Sequence, residues 1–454
     1  MPPSPIRRAT PRPVRAPWLL VATLLLAAPL RAQSAPAAAT PPHPDTSGLA
    51  DAVREARRTL QALPQLWAID PRDLTWLFTD GRAHVVTVRR DDGDRLDPIA
   101  LPAGTVIANH ATDWNGRRVA MVRVPLPRDA QQRTTLLVHE AMHTLQPTQL
   151  PGATRTEAGT GGDFLDGEDG RSWLFLELRA LAAALRATGD AQRSAVRDAL
   201  AFRARRDALA HAEERTRLDA LDLSEGLPEY TGMRLAGVTA TQLADKIGNA
   251  AAARVSWVRA SGYWTGPAWG YALDALGVRD WRSSAKRGAR LPDLAADALR
   301  VPRAAVEDTT VTVRRQATYD GTALRAAEHA RAVANARVLD SLRMRFAEGA
   351  MLRLYPTSMQ VAFDPNGQTP LAGRGTVMRG FRWSAKDGSE LVADAGALVS
   401  SAWDWVQVPL DTNTLGDAVL DTPRTLSGGG WTVTLAKGWR ITRRGDLLEA
   451  RPPQ

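Results

Sequence analysis

Apolar residues recur at every third or fourth position over 47–63, where Leu49, Val53, Ala56, Leu60 and Leu63 share one side and arginines the other, which predicts an amphipathic helix. The period then shortens. Residues 74–79, 84–90, 105–109 and 118–124 are short β-type runs, separated by turn signals at Asp80-Gly81, Asp91-Asp92-Gly93 and Asn115-Gly116. Helical spacing returns over 134–146 and is expected to stop at Pro147, before a loop rich in Gly and Asp over 147–170. One helix is expected over 171–188 and a longer one over 191–221, where Ala and Leu alternate with Arg, Asp and Glu. A stretch of Gly and aromatic residues over 261–276 and a helix over 322–348 follow. From Met351 the character changes: residues 377–383, 390–393, 403–408 and 431–444 favour strand, and Asp364-Pro365-Asn366-Gly367 reads as a turn. The pattern predicts an α+β chain, with a small group of strands and a mostly helical half over 47–350 and a separate all-β domain, sandwich or barrel, over 351–454.

The N-terminus departs from both patterns. Arg7, Arg8, Arg12 and Arg15 precede an apolar run from Trp18 to Leu30, with small residues at Ala32 and Ala35-Pro36-Ala37. A basic start, a short apolar centre and a small-residue cleavage zone predict a secretory signal peptide over 1–32, followed by an Ala/Pro-rich tether over 33–46. The apolar run is shorter than the roughly 20 residues a membrane span needs, so a mature chain without a stable membrane span is expected, exported to the periplasm or the exterior. No cysteine occurs in the 454 residues, which excludes disulfides, thiolate metal ligands and a cysteine nucleophile. The net charge of +9 invites a nucleic-acid partner. All its basic residues but Lys246, Lys286, Lys386 and Lys437 are arginines, however, and they alternate with Asp and Glu rather than forming a block with interleaved aromatics. No nucleic-acid partner is expected.

Candidate chemistry lies in the helix over 134–146, which carries His139-Glu140-Ala141-Met142-His143. On a helix, positions i and i+4 lie one above the other, so both imidazoles can reach one tetrahedral zinc ion. Glu140 stands beside the open position, placed to exchange a proton with a water molecule. A catalytic zinc also needs a third protein ligand. Gln146 and Gln149 stand where a metzincin would have Gly and a third His, which excludes that class. His43, His84, His110, His211 and His329 are expected at the surface or in local hydrogen bonds. Carboxylates downstream remain: Glu177, Glu225 and Glu229. Glu177 sits in an otherwise apolar run and needs a partner if buried, either a metal or a neighbouring arginine such as Arg171 or Arg179.

Ser224-Glu225-Gly226-Leu227-Pro228-Glu229-Tyr230, together with the H-E-x-x-H helix, resembles the gluzincin metallopeptidases, the group that holds thermolysin-like and aminopeptidase-like zinc enzymes. In several branches of that group a segment of type E-G-x-A-x-Y or E-x-x-A-E follows the helix, and its first Glu binds the metal. The resemblance covers roughly residues 133–235 and implies a zincin-like catalytic domain over 47–350. It also implies Zn2+ as cofactor, with His139, His143 and Glu225 as ligands, and Glu229 accepting from an imidazole N–H. Pro228 departs from the group's small helix former, and a helix starting near Gly226 would accommodate it.

The chemistry implied is hydrolysis of a peptide or protein substrate, with Glu140 as general base and a tyrosine assisting the oxyanion. Tyr230, Tyr263 and Tyr271 are the candidates. Residues 117–124 are expected to form an exposed edge strand that could pair with an extended substrate. The rival reading is a non-catalytic exported binding or scaffold protein in which the motif is coincidental.

Overall fold

Helix α1, Leu49–Leu60, opens the described part of the chain and buries Leu49, Ala52, Val53, Ala56 and Leu60, the stripe its sequence spacing predicts. The computed structural model describes residues 48–453 apart from 72, 81–82, 91–92, 102–104, 106, 154–163, 253–255, 303–308, 359, 365–366 and 411–416. The expected signal peptide and tether, His43, the turns at Asp80-Gly81, Asp91-Asp92 and Pro365-Asn366, and the middle of the loop expected over 147–170 fall wholly or partly outside the described residues.

After a short helix α2, Leu63–Trp67, five strands follow: β1 Trp76–Thr79, β2 His84–Arg90, β3 Gly93–Ile99, β4 His110–Trp114 and β5 Arg117–Arg123. They form one mixed sheet in the order β3-β2-β1-β5-β4, in which only the β1–β5 pair is parallel. Alternate residues serve two faces. Trp76, Phe78, Ala120 and Val122 join the main core, while Leu77, Val119 and Met121 form a small cluster on the other side. The β4–β5 hairpin turns through Asn115 and Gly116, both at positive φ (48° and 71°), as a tight two-residue turn requires.

Two expectations about this sheet are corrected. Residues 105 and 107–109 are not strand, and the strand lies at His110–Trp114 instead, where it can close on β5 through the Asn115-Gly116 turn. Consequently residues 117–124 are not an edge: β5 is held between β1 and β4, and β4 is the edge strand on that side. Strand β3, Gly93–Ile99, escaped the sequence pattern because Gly, Asp and Pro interrupt its apolar positions and all seven residues are half-buried or exposed.

Helix α3, Ala130–Gln149, starts at an Asp129 cap that accepts from the Gln132 N–H at 2.8 Å and lies against the inner face of the sheet, where Trp76 Nε1 donates to Leu137 O at 3.0 Å. It does not stop before Pro147 but runs through it to Gln149. A proline this close to the end costs a single backbone bond, and Leu150 N–H still closes on Gln146 O at 3.0 Å.

Helices α4 Glu168–Arg186, α5 Gly189–Leu209, α6 Ala212–Ser224, α7 Gly226–Leu235, α8 Ala240–Gly248, α9 Trp257–Ala260 and α10 Gly262–Ala275 complete the frame of the site. The single helix expected over 191–221 is two, broken at Ala210-His211, where the Glu214 carboxylate accepts from the His211 N–H and starts a new helix. One continuous core runs through these elements, from Leu49 to Leu324.

Residues beyond Met351 are strand-rich. A five-stranded and an eight-stranded sheet share a second core that includes Leu352, Trp383, Val406, Trp431 and Leu448. The pairing of Met351–Leu354 with Leu447–Arg451 is parallel, and the other described pairings there are antiparallel. The run expected over 377–383 is divided at Gly380, which takes a φ of 59°. The run over 431–444 is likewise two strands, Trp431–Leu435 and Arg440–Arg444. The strand expected at 403 begins only at Val406, because Ser400 Oγ accepts from the Asp404 and Trp405 N–H groups and holds that segment in a turn. The long helix Gly321–Ala347 docks its end on the eight-stranded sheet through Phe346, and Gln407 Nε2 donates to Phe346 O at 2.8 Å.

The contact that matters most for the site is made without side chains. Helix α10 crosses the α6–α7 junction with Gly262 and Gly266 facing Leu221, Asp222 and Gly226. A methyl group on Gly226 would lie 2.6 Å from the Gly266 Cα, and one on Gly262 would lie 2.5 Å from Leu221 O, both closer than atoms tolerate. Gly266→Ala is therefore expected to force the helices apart, at about 1–3 kcal/mol. A thermal melt should register this as a lower Tm.

Candidate metal centre

Helix α3 supplies His139 and His143 one turn apart, and the α6–α7 junction supplies Glu225. Glu225 caps α7, so Pro228 sits in the first turn of that helix, where no intrahelical N–H is lost. The donor atoms converge. His139 Nε2 and His143 Nε2 are 3.0 Å apart, and Glu225 Oε2 lies 3.6 Å from the first and 3.2 Å from the second. Ligands about 2.1 Å from a tetrahedral zinc stand about 3.4 Å from one another, so the three separations bracket what a shared ion needs. Among the described residues this buried trio is the group of His and carboxylate side chains that could hold a metal ion.

Hydrogen bonds behind the rings fix which nitrogen is the donor. His139 Nδ1 lies 3.0 Å from Glu229 Oε2, and His143 Nδ1 lies 2.6 Å from Gln146 Oε1. Gln146 is oriented in turn, since its Nε2 donates to Ser224 O at 2.7 Å and to Ala153 O at 3.2 Å. Both partners of Nδ1 are acceptors, so Nδ1 carries a hydrogen and Nε2 is the atom of each ring that meets Glu225. With a proton on His139 Nε2 the group is an ion pair with Glu225; with that proton lost, both Nε2 lone pairs and Glu225 Oε2 converge on one point, and this arrangement fits a metal ion.

The electrostatics of the bare protein carry the same message. Burial alone would lower the His139 pKa, but hydrogen bonds to Glu225 and Glu229 and the charges of Glu229 and Glu140 raise it to about 10. Burial would raise Glu225, yet the two imidazoles and the Tyr263 hydroxyl hold it far below the usual carboxylate range. A proton and a metal cation therefore compete for the same donors. Glu140 is itself buried, which lifts its pKa against the opposing pull of the two histidines. Its Oε2 has no hydrogen-bond partner among the described residues.

Tyr263, at the start of α10, completes the group. Its ring stacks on His139 with centroids 5.3 Å apart and planes 9° from parallel, and its hydroxyl hydrogen-bonds Glu225. The other two tyrosines are committed elsewhere: Tyr230 OH donates to Asp274 at 2.6 Å, and Tyr271 OH donates to Val238 O at 2.7 Å. Glu177 is also away from the site. It is fully buried against Arg206 at 2.9 Å and Arg203 at 3.5 Å, with Trp269 Nε1 donating to it at 2.8 Å. Its partners are these two arginines of α5, not Arg171 or Arg179. His84 bonds Thr79, His110 lies on β4, His211 caps α6 and His329 pairs with Glu168.

Sequence reasoning missed Gln146. Its spacing of three from His143 on the same helix face was the available signal. No protein-family model, no curated protein and no solved structure matches the chain. The functional reading therefore rests on the residues themselves.

Proposed function

We propose that the chain is an exported, zinc-dependent peptidase with a zincin-like catalytic region of gluzincin type. The observation that carries this reading is the convergence of His139 Nε2, His143 Nε2 and Glu225 Oε2, each ring held from behind, beside the unpartnered Oε2 of Glu140. Two imidazoles and one carboxylate suit zinc, and a zinc ion held there would supply Lewis acidity to a water molecule and to a substrate carbonyl.

The chain's own residues supply the rest. Glu140 takes the proton of the attacking water and passes it to the leaving amine, and its buried setting keeps it a strong enough base for the task. Tyr263 offers a hydroxyl donor next to Glu225, where it can turn to the developing oxyanion. Glu229 and Gln146 keep the two rings in register. Support for export comes from the leader-like residues 7–37. No helix among the described residues is long and apolar enough to cross a membrane.

The purified mature protein is expected to hold one zinc per chain after gel filtration, and the His139→Ala/His143→Ala double variant none, by elemental analysis. Full zinc in the double variant would overturn the site. No cleavage of a mixed-peptide library by zinc-loaded protein would favour the exported binding-protein reading instead.

A further inference from the structure

One cation reaches the back of the site. Lys246, in the last turn of α8, places Nζ 3.5 Å from Glu229 Oε1 and 5.2 Å from the centroid of the Trp264 ring. The other oxygen of the same carboxylate, Oε2, lies 3.0 Å from His139 Nδ1. Glu229 is thus divided between two donors, one oxygen each.

The residue type matters here. Of the 58 basic residues, all but Lys246, Lys286, Lys386 and Lys437 are arginine. Arginine presents a planar fork that takes both oxygens of a carboxylate, whereas lysine is a point charge that binds one. An arginine in this place would compete with His139 for Oε2. The Trp264 face beneath Nζ gives the ammonium a second attraction and limits its range.

We propose that Lys246 is a positioning residue of the metal centre. By holding Oε1, it fixes the rotation of the Glu229 carboxylate so that Oε2 meets His139 Nδ1 and His139 Nε2 stays aimed at the metal. This rests on the zinc reading above. The Lys246 side chain is 37% exposed, and an ion pair of that kind adds little to global stability, so its effect is felt at the metal rather than in the melt.

Zinc affinity of the full mature chain is measured by chelator competition for wild type, Lys246→Met and Lys246→Arg, with the absorption spectrum of the cobalt-substituted protein and the Tm of the metal-free form. Replacing a direct partner of a metal-bound imidazole costs 10–100-fold in affinity, so one step further out a loss of about five-fold is expected for Lys246→Met. Its cobalt spectrum should shift, its metal-free Tm should match wild type, and peptide kcat should fall with KM little changed. Lys246→Arg should fail to restore affinity. Wild-type affinity and spectrum in Lys246→Met would overturn the proposal. So would a loss confined to KM, which would place Lys246 on the substrate, or full restoration by Lys246→Arg, which would reduce it to a nearby charge. A wild-type chain that retains no zinc would overturn the metal reading itself, an outcome visible before any variant is compared.

Discussion

Glu140→Gln is expected to keep its zinc and lose peptide hydrolysis by a factor of about a hundred or more. Glutamine matches the size and polarity of the side chain it replaces but cannot accept a proton, and Glu140 is not among the three converging donors. Metal content and catalysis should therefore separate in this variant. Elemental analysis with a mixed-peptide library read by mass spectrometry checks both at once. Equal cleavage by wild type and Glu140→Gln would remove Glu140 from the mechanism.

Opposite outcomes are expected for two glutamates that look alike in the sequence. Glu225→Gln removes the charged member of the donor trio, so zinc affinity should fall severely while the metal-free fold survives. Removing a carboxylate that suffers burial and sits among competing groups leaves no buried arginine stranded. Glu177→Gln should do the reverse. It strips the close anion from buried Arg206, while Arg203 keeps Asp207, Asp219 and Asp222, and breaking such a buried pair costs about 3 kcal/mol. Denaturant unfolding should show that loss, while zinc binding by the folded fraction stays at the wild-type level. Zinc loss in Glu177→Gln without destabilisation would mean that the metal sits elsewhere.

The contrast shows what a sequence can carry. The H-E-x-x-H helix was legible because its chemistry is local: two histidines one turn apart need only a helix to meet. Glu225 lies far along the chain, and only its resemblance to a known ligand segment singled it out from Glu177 and Glu229. The partners of Glu177 come from α5, beyond the reach of the neighbouring arginines that composition suggested. Tyr230 lies beside the ligand segment, and Tyr263 and Tyr271 lie in a Gly/aromatic stretch; only the crossing of α10 over α7 decides which ring covers His139. Strand β3 was hidden by its Gly, Asp and Pro positions, and the break between α5 and α6 by helix-forming residues on both sides of His211. The strand-rich character after Met351 was clear from its alternation, but the places where strands stop depend on turns such as the one Ser400 holds.

The glycine contact between α10 and the α6–α7 junction has a mechanical consequence. With backbone resting on backbone at Gly226, Gly262 and Gly266, no compressible layer of side chains separates the helix that carries Tyr263 from the corner that carries Glu225. Thr265 Oγ1 is also bolted to the Asp222 carboxylate, one turn before Glu225. Helix α3 joins the same block, since a methyl group on Gly232 of α7 would lie 2.6 Å from Thr135 O. The two histidines, Glu225 and Tyr263 thus stand on one frame locked backbone to backbone, and the spacing of the donors is set by the fold.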